Sequence, residues 1–186
     1  MTLSIRPVIA VISLVFAAMG FTEARSQALP ESRIAIVDYQ LIQKNSTAMV
    51  DIQTQIEERR LLYQEEISGQ EKELRANDQE LVRQRSVLTA EAFALKRREF
   101  ESKVAQVQRE VQDRKRELDQ AFQYGMNQVQ LMINDIIAEL SRQKDFNLVL
   151  SRQQIVFAEN SLNISDEIIK ILNERLPLVE VPLAQN

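Results

Sequence analysis

The run MVDIQTQIEERRLLYQEEISGQEKELRANDQELVRQRSVL, from Met49 to Leu88, decides the architecture. Ile67, Leu74, Leu81 and Leu88 recur every seven residues, and Met49, Ile56, Tyr63, Gln70, Asn77 and Gln84 form a companion row at the same spacing. Two such rows set among charged residues predict a coiled-coil helix from about Ala48 to Val87. The first row is aliphatic throughout, whereas the second turns from apolar to amide beyond Tyr63. Gln70, Asn77 and Gln84 therefore mark a loosened seam, which either specifies register or lets two arms splay.

Working outward, Ser86 to Thr89 interrupts the pattern, and Thr89 with Glu91 behind it reads as the cap of a second helix. The expected tip of a helical hairpin lies near residues 86–89. The return arm carries Phe93, Phe100 and Val107 in one seven-spaced row and Val104, Val111 and Leu118 in another. From Phe122 and Met126 to Val129, Ile133, Ile136 and Leu140 the register shifts, and Gly125 lies at the shift. A bend or flexible point is expected between Leu118 and Met126. Residues 48–143 are thus read as one hairpin arm. Two arms of this length give a hairpin of about 60 Å at 1.5 Å per residue.

Short apolar segments flank the arm. Arg33-Ile-Ala-Ile-Val-Asp38 reads as a strand apolar on both faces, with Asp38 capping a short helix behind it. After Lys144 the period falls to two, with Phe146, Leu148 and Leu150 on one face. A second apolar run, Ile155-Val-Phe-Ala158, predicts a hairpin partner for it. Ser165-Asp-Glu opens a final helix, flanked by Ile164 and Ile169 and stopped by Pro177. Residues 29–47 and 144–177 form the expected base, with a core of Ile34, Ile36, Val37, Phe146, Leu148, Leu150 and Val156. Residues 178–186 read as a tail. About 60 residues bury too little apolar surface alone, so the base needs to oligomerise.

The N-terminus reads differently. A short segment with Arg6 precedes an apolar run from Pro7 to Phe21, and small residues follow to Ala28. This is the order of a secretory signal, with cleavage after Ala28, or alternatively after Ala24. The run is short against the ~20 residues of a stable span. Removing residues 1–28 takes away Arg6, Arg25 and Glu23 and leaves 158 residues, 21 basic and 26 acidic, net −5.

Composition excludes most chemistry. The 186 residues include no Cys, no His and no Trp, with 3 Gly and 4 Pro. That removes the usual zinc sites, thiol nucleophiles, Ser-His triads and phosphate-cradling loops, and no cofactor is expected. The prolines are Pro7, Pro30, Pro177 and Pro182, so none breaks a helix between Glu31 and Leu176. Paired acids such as Glu57/Glu58, Glu65/Glu66 and Asp113/Glu117 read as salt-bridged helix faces, not as catalytic carboxylates. With no basic, aromatic-interleaved stripe and a negative net charge, nucleic-acid binding is not expected.

Arg33 to Asp38, the charged hairpin, Phe146 to Ser151, Ile155 to Ala158 and Ser165 to Asn173 together resemble the Skp/OmpH family of periplasmic chaperones. The resemblance covers nearly all of the chain after residue 28. It implies a mainly α fold with a small β base: a homotrimer in which a β-rich body carries three projecting helical hairpins around a cavity. It further implies an exported, periplasmic, ATP-independent holdase that keeps unfolded outer-membrane β-barrel proteins from aggregating, and no enzyme. The chain's pI of about 5.1 departs from the basic type member. A different class, a structural or adaptor coiled coil of the cell envelope, is the alternative.

Two features carry the functional expectation. Arg83, Arg85, Lys96, Arg97 and Arg98, with Glu91 the lone acid in residues 82–98, give an acidic protein a basic tip. Such a tip suits contact with acidic client segments, anionic membrane or lipopolysaccharide, or else simply keeps the arms apart. Tyr63, Met49, Phe93 and Phe100 lie on the helical stripes and are expected to pack between the arms in preference to meeting clients.

Overall fold

The computed structural model describes residues 30–183. The signal expected at 1–28 and the last three residues of the tail lie outside the described residues. From Ser32 onward the chain forms one compact unit. Its elements are strand β1 (Ile34–Val37), helices α1 (Tyr39–Asn45), α2 (Thr47–Gln84) and α3 (Ala90–Lys144), strand β2 (Leu148–Ser151) and helix α4 (Ser165–Arg175). Short 3-10 turns at Arg152–Gln154 and Asn160–Leu162 join β2 to α4.

Capping fixes the element starts. The Asp38 carboxylate accepts the Leu41 N–H at 3.1 Å at the start of α1, and the Thr89 hydroxyl accepts the Ala92 N–H at 3.2 Å at the start of α3. Each satisfies a backbone donor that the helix leaves unpaired. α3 is 55 residues, about 80 Å at 1.5 Å per residue. It ends on Asp145 at φ 62°, a left-handed cap that turns the chain toward β2 and places the Asp145 carboxylate on Arg33.

β1 and β2 pair in parallel, Ile34 with Leu148 through Val37 with Ser151. Parallel strands require a crossover, and here the crossover is the pair of long helices. Contacts between α2 and α3 run antiparallel: Ile52 meets Gly125, Tyr63 meets Glu117, and Gln70 meets Glu110. On the other side of β1, Ile36 bridges to Asn163, and the Ile164 N–H donates to the Ile36 carbonyl at 3.0 Å. Ser165 does not cap its own helix. Its hydroxyl accepts the Asp38 N–H at 2.7 Å and donates to Asn163 Oδ1 at 2.6 Å, so it ties the end of β1 to the start of α4.

Ala35, Val37, Ile42, Ala48, Met49 and Ile52 pack with Val129, Ile133, Ile136 and Leu140 of α3, with Phe146, and with Ile164, Ile168 and Leu172 around α4. Arg175 closes the outer side with a two-pronged contact to Glu139, at 2.9 and 2.7 Å. Those hydrogen bonds hold the Glu139 carboxyl below the usual carboxylate range.

Four expectations need correction. Residues 146–158 do not form a hairpin: β2 pairs with β1, and Ile155 to Ala158 is irregular. Within a single chain Val156 is therefore not buried but fully exposed, at 105%, beside an exposed Phe157. Of the other expected core positions, Ile36, Val37 and Phe146 are buried, Leu150 is half-buried, and Ile34 and Leu148 are exposed where the sheet stops at two strands. Residues 178–183 are not a free tail. They form a strap against α2, with Val179 and Val181 buried. Finally, α3 runs unbroken through Gly125, which is a packing point. A Cβ there would come within 2.9 Å of Ile52 Cδ1 and 3.1 Å of Val181 Cγ1.

Gly125→Ala should therefore lower stability. Overpacking of a filled site costs about 1–3 kcal/mol, against about 1 kcal/mol of gained helix propensity. A net loss of about 1 kcal/mol is expected in thermal unfolding followed by circular dichroism. A raised midpoint would mean that Ile52 yields freely.

Candidate functional site

Burial falls off along the arms. Beyond Tyr63, no residue from Gln64 to Gln120 is fully buried. The expected seam rows do face each other, but loosely: Ile67, Gln70, Leu74, Asn77, Leu81 and Gln84 are half-buried, as are Phe93, Phe100, Val104 and Val107. The three seam amides behave differently. Gln70 Nε2 crosses to Glu110 at 3.0 Å, Gln84 Nε2 turns back onto Glu80 of its own helix at 2.6 Å, and Asn77 lines a shallow groove with Leu81, Lys96 and Phe100. The distal ion pair across the arms, Lys103 to Glu73, spans 3.6 Å between exposed groups and contributes at most ~1 kcal/mol.

Where the buried core ends, a polar junction takes over. The Tyr63 ring lies under the Arg114 guanidinium, 4.3 Å from carbon to centroid, with Arg59 at 5.8 Å. The Tyr63 hydroxyl donates to Glu117 at 2.7 Å. Arg114 in turn lies 3.5 Å from Glu117, 3.6 Å from Glu66 and 3.9 Å from Glu110. Arg114 Nε and Gln70 Oε1 are buried without a hydrogen-bond partner. Burial, followed by the hydrogen bond to Glu117, pushes the Tyr63 phenol above its ordinary value. At Arg114 burial pulls the other way, but Tyr63, Glu66 and Glu117 outweigh it and raise the guanidinium.

Sequence reasoning missed this junction. Glu117 was read as part of a solvated face, but it bonds Tyr63 across the arms. The signal in the sequence is Arg114, a charge that continues the seven-spaced Phe93, Phe100, Val107 row where an apolar residue is expected.

The five basic tip residues flank the turn between α2 and α3. Arg83 is paired with Glu80 at 2.7 Å, and Arg97 with Glu101 at 2.9 Å. Arg85, Lys96 and Arg98 make no ion pair among the described residues. Exposed apolar groups stand beside them: Val82, Val87 at 83% and Leu95. Toward the base, Leu61, Leu62, Tyr124 and Leu131 are also exposed. Val50 and Val111 are exposed as well, whereas Met49 is buried and Phe93 and Phe100 are half-buried. Leu61 and Leu62 lie off both seven-spaced rows, which is how the sequence marks them.

Among the described residues no helix is long and apolar enough to cross a membrane, and no cluster of acids is placed to hold a metal ion.

Removing the hydroxyl with Tyr63→Phe tests the junction through pH. The folded chain holds the phenol proton more tightly than the unfolded chain does. Tyr63's contribution is therefore complete below about pH 10 and is lost as pH climbs through the raised folded value. The parent chain should lose more stability than Tyr63→Phe above that pH, measured by urea unfolding. Equal losses would show that the phenol titrates freely.

Comparison with known proteins gives a consistent picture. The family model for outer membrane protein (OmpH-like) matches residues 33–172, so Leu178 to Leu183 lie past its end. A crystal structure from Caulobacter crescentus CB15, described as a candidate outer membrane chaperone (OmpH-like), superposes with a TM-score of 0.75. The two share 15% identity, and the match covers 85% of this chain and 94% of that one. At that identity the likeness speaks for the fold. No curated protein matches significantly.

Proposed function

The chain belongs to the OmpH-like outer membrane protein family, and from that premise we propose that it is a periplasmic, ATP-independent holdase chaperone for unfolded outer-membrane β-barrel proteins. The family is non-enzymatic, and this chain is not an enzyme. The observation that carries the reading is the loss of full burial from Gln64 to Gln120. A helical pair so weakly packed, bearing exposed Leu61, Leu62, Tyr124 and Leu131, is built for adaptable contact with no rigid partner. The described residues provide no nucleotide-binding loop, so capture and release rest on many weak contacts.

The base supports the assembly. A sheet of two strands leaves the outer edge of β2 open, and Ile34, Leu148, Val156 and Phe157 present apolar surface around it. In our reading three copies cover this edge and surface in one body, as a homotrimer, and the three helical pairs enclose the client. Export follows from the signal at residues 1–28, with cleavage after Ala28. The tip serves as a secondary contact: Arg85, Lys96 and Arg98 offer unpaired charge to anionic lipid or lipopolysaccharide beside the exposed Val82, Val87 and Leu95.

Light scattering on the chain from Leu29 onward is the primary test. A trimer mass is expected, with a denatured porin kept soluble at about one porin per trimer. A monomer that leaves porin aggregation unchanged would reject the proposal. A second measurement addresses the tip. Arg85→Gln, Lys96→Gln and Arg98→Gln combined should abolish salt-sensitive co-sedimentation with vesicles rich in anionic lipid and leave porin protection intact. Unchanged sedimentation would remove the tip from any membrane role.

A further inference from the structure

The strap shows how this molecule holds an extended chain. Exposure alternates along it: Leu178, Glu180 and Pro182 face solvent, while Val179 and Val181 are buried. One edge of its backbone is read by two side chains a helical turn apart on α2. Asp51 Oδ2 accepts the Val179 N–H at 3.0 Å. Gln55 Nε2 donates to the Val179 carbonyl at 2.8 Å, and Gln55 Oε1 accepts the Val181 N–H at 3.3 Å. Gln55 also donates to Asp51 at 2.8 Å, which fixes both side chains in the posture that the strap needs. These three groups, the N–H and C=O of one residue and the N–H two residues on, point the same way only in extended backbone. Beneath Val181 the floor is Ile52 and the bare backbone of Gly125, where a Cβ would come within 3.1 Å of Val181 Cγ1. Glu58, Arg59 and Leu62 of α2 extend the groove beside Glu180, Val181 and Leu183 of the strap.

We propose that this groove is a binding site for extended polypeptide with apolar residues at alternate positions, and that the strap is its occupant in cis. Recognition acts through the main chain and through two small apolar pockets two residues apart. It therefore fixes a spacing and a conformation and tolerates many sequences. The strap is suited to leave. It begins after Pro177 and is held by Val179, Val181, the half-buried Leu183 and three hydrogen bonds, against which the ordering of the whole segment counts. Strands of outer-membrane barrels alternate apolar and polar residues along their length, the pattern that the groove accepts. A client strand would displace the strap and gain a site at the root of the arms. This identification of the competitor rests on the chaperone reading above, whereas the groove's preference for extended chain does not.

The experiment uses the exported chain from Leu29, whole or truncated after Pro177, and a fluorescent Leu-Val-Glu-Val-Pro-Leu peptide read by anisotropy. The truncated chain should bind the peptide. The whole chain should bind it at least about tenfold more weakly, because the tethered strap competes at an effective concentration in the ~mM range. A permuted peptide with adjacent valines should bind neither chain, and Gln55→Ala should weaken binding to the truncated chain by about tenfold, which is about 1.4 kcal/mol. Equal binding to whole and truncated chains, or none to a truncated chain of unchanged helicity, overturns the proposal and leaves the strap a fixed clasp. If truncation reduces helicity, Val181→Asp in the whole chain takes its place: peptide binding above that of the parent supports the groove, and no gain rejects it. Porin aggregation is followed with the same samples. Protection without peptide binding removes the groove and keeps the holdase; peptide binding without protection does the reverse.

Discussion

Pairing of β1 with β2 is the constraint on which the rest depends. The two strands are four residues each, yet their register, Ile34 against Leu148, determines where the helical excursion between them leaves and where it returns. A slip of one residue would turn Ala35 and Val37 out of the core. The pairing is reinforced from both sides: Asn147 and Leu148 donate to the Arg33 carbonyl, and Ser165 binds the Asp38 N–H at the other end of β1. Everything beyond this junction, α2, α3 and their turn, is held at one end only.

The sequence told much about the arms and less about the base, for a physical reason. A coiled-coil seam repeats locally, so its rows can be counted, and the half-buried positions from Ile67 to Leu88 follow them. The partner of β2 lies more than a hundred residues upstream, where no local pattern reaches. Two nearby apolar runs, Phe146 to Leu150 and Ile155 to Ala158, invited a hairpin that parallel pairing with β1 supersedes. At Gly125 the register shift and the low helix propensity point to a bend, whereas packing against Ile52 and Val181 decides its role. In the last residues, the alternation of Val179 and Val181 is the local signal that distinguishes a packed strap from a tail.

The polar junction at Tyr63 belongs to neither region. It sets Arg114 3.5–3.9 Å from Glu117, Glu66 and Glu110, places Arg114 and Arg59 over the Tyr63 ring at 4.3 and 5.8 Å, and ties the Tyr63 hydroxyl to Glu117 at 2.7 Å. Charges this loosely matched repay little of their desolvation. They specify which face of α2 meets α3 without welding the two together. Of the predicted site residues, Gln70 joins this junction, while Asn77, Gln84 and the basic tip lie beyond it.

That gradient of burial makes the helical pair a cantilever. Its clamp is the filled site where Ile52, Gly125 and Val181 meet, and its free end is the turn after Gln84. From Tyr63 to Gln84 the lever is about 30 Å long at 1.5 Å per residue, so a 10° rotation at the junction sweeps the end through about 5 Å. A small rearrangement of one arginine and its carboxylates is thereby geared into a displacement comparable to the spacing of neighbouring strands in a sheet.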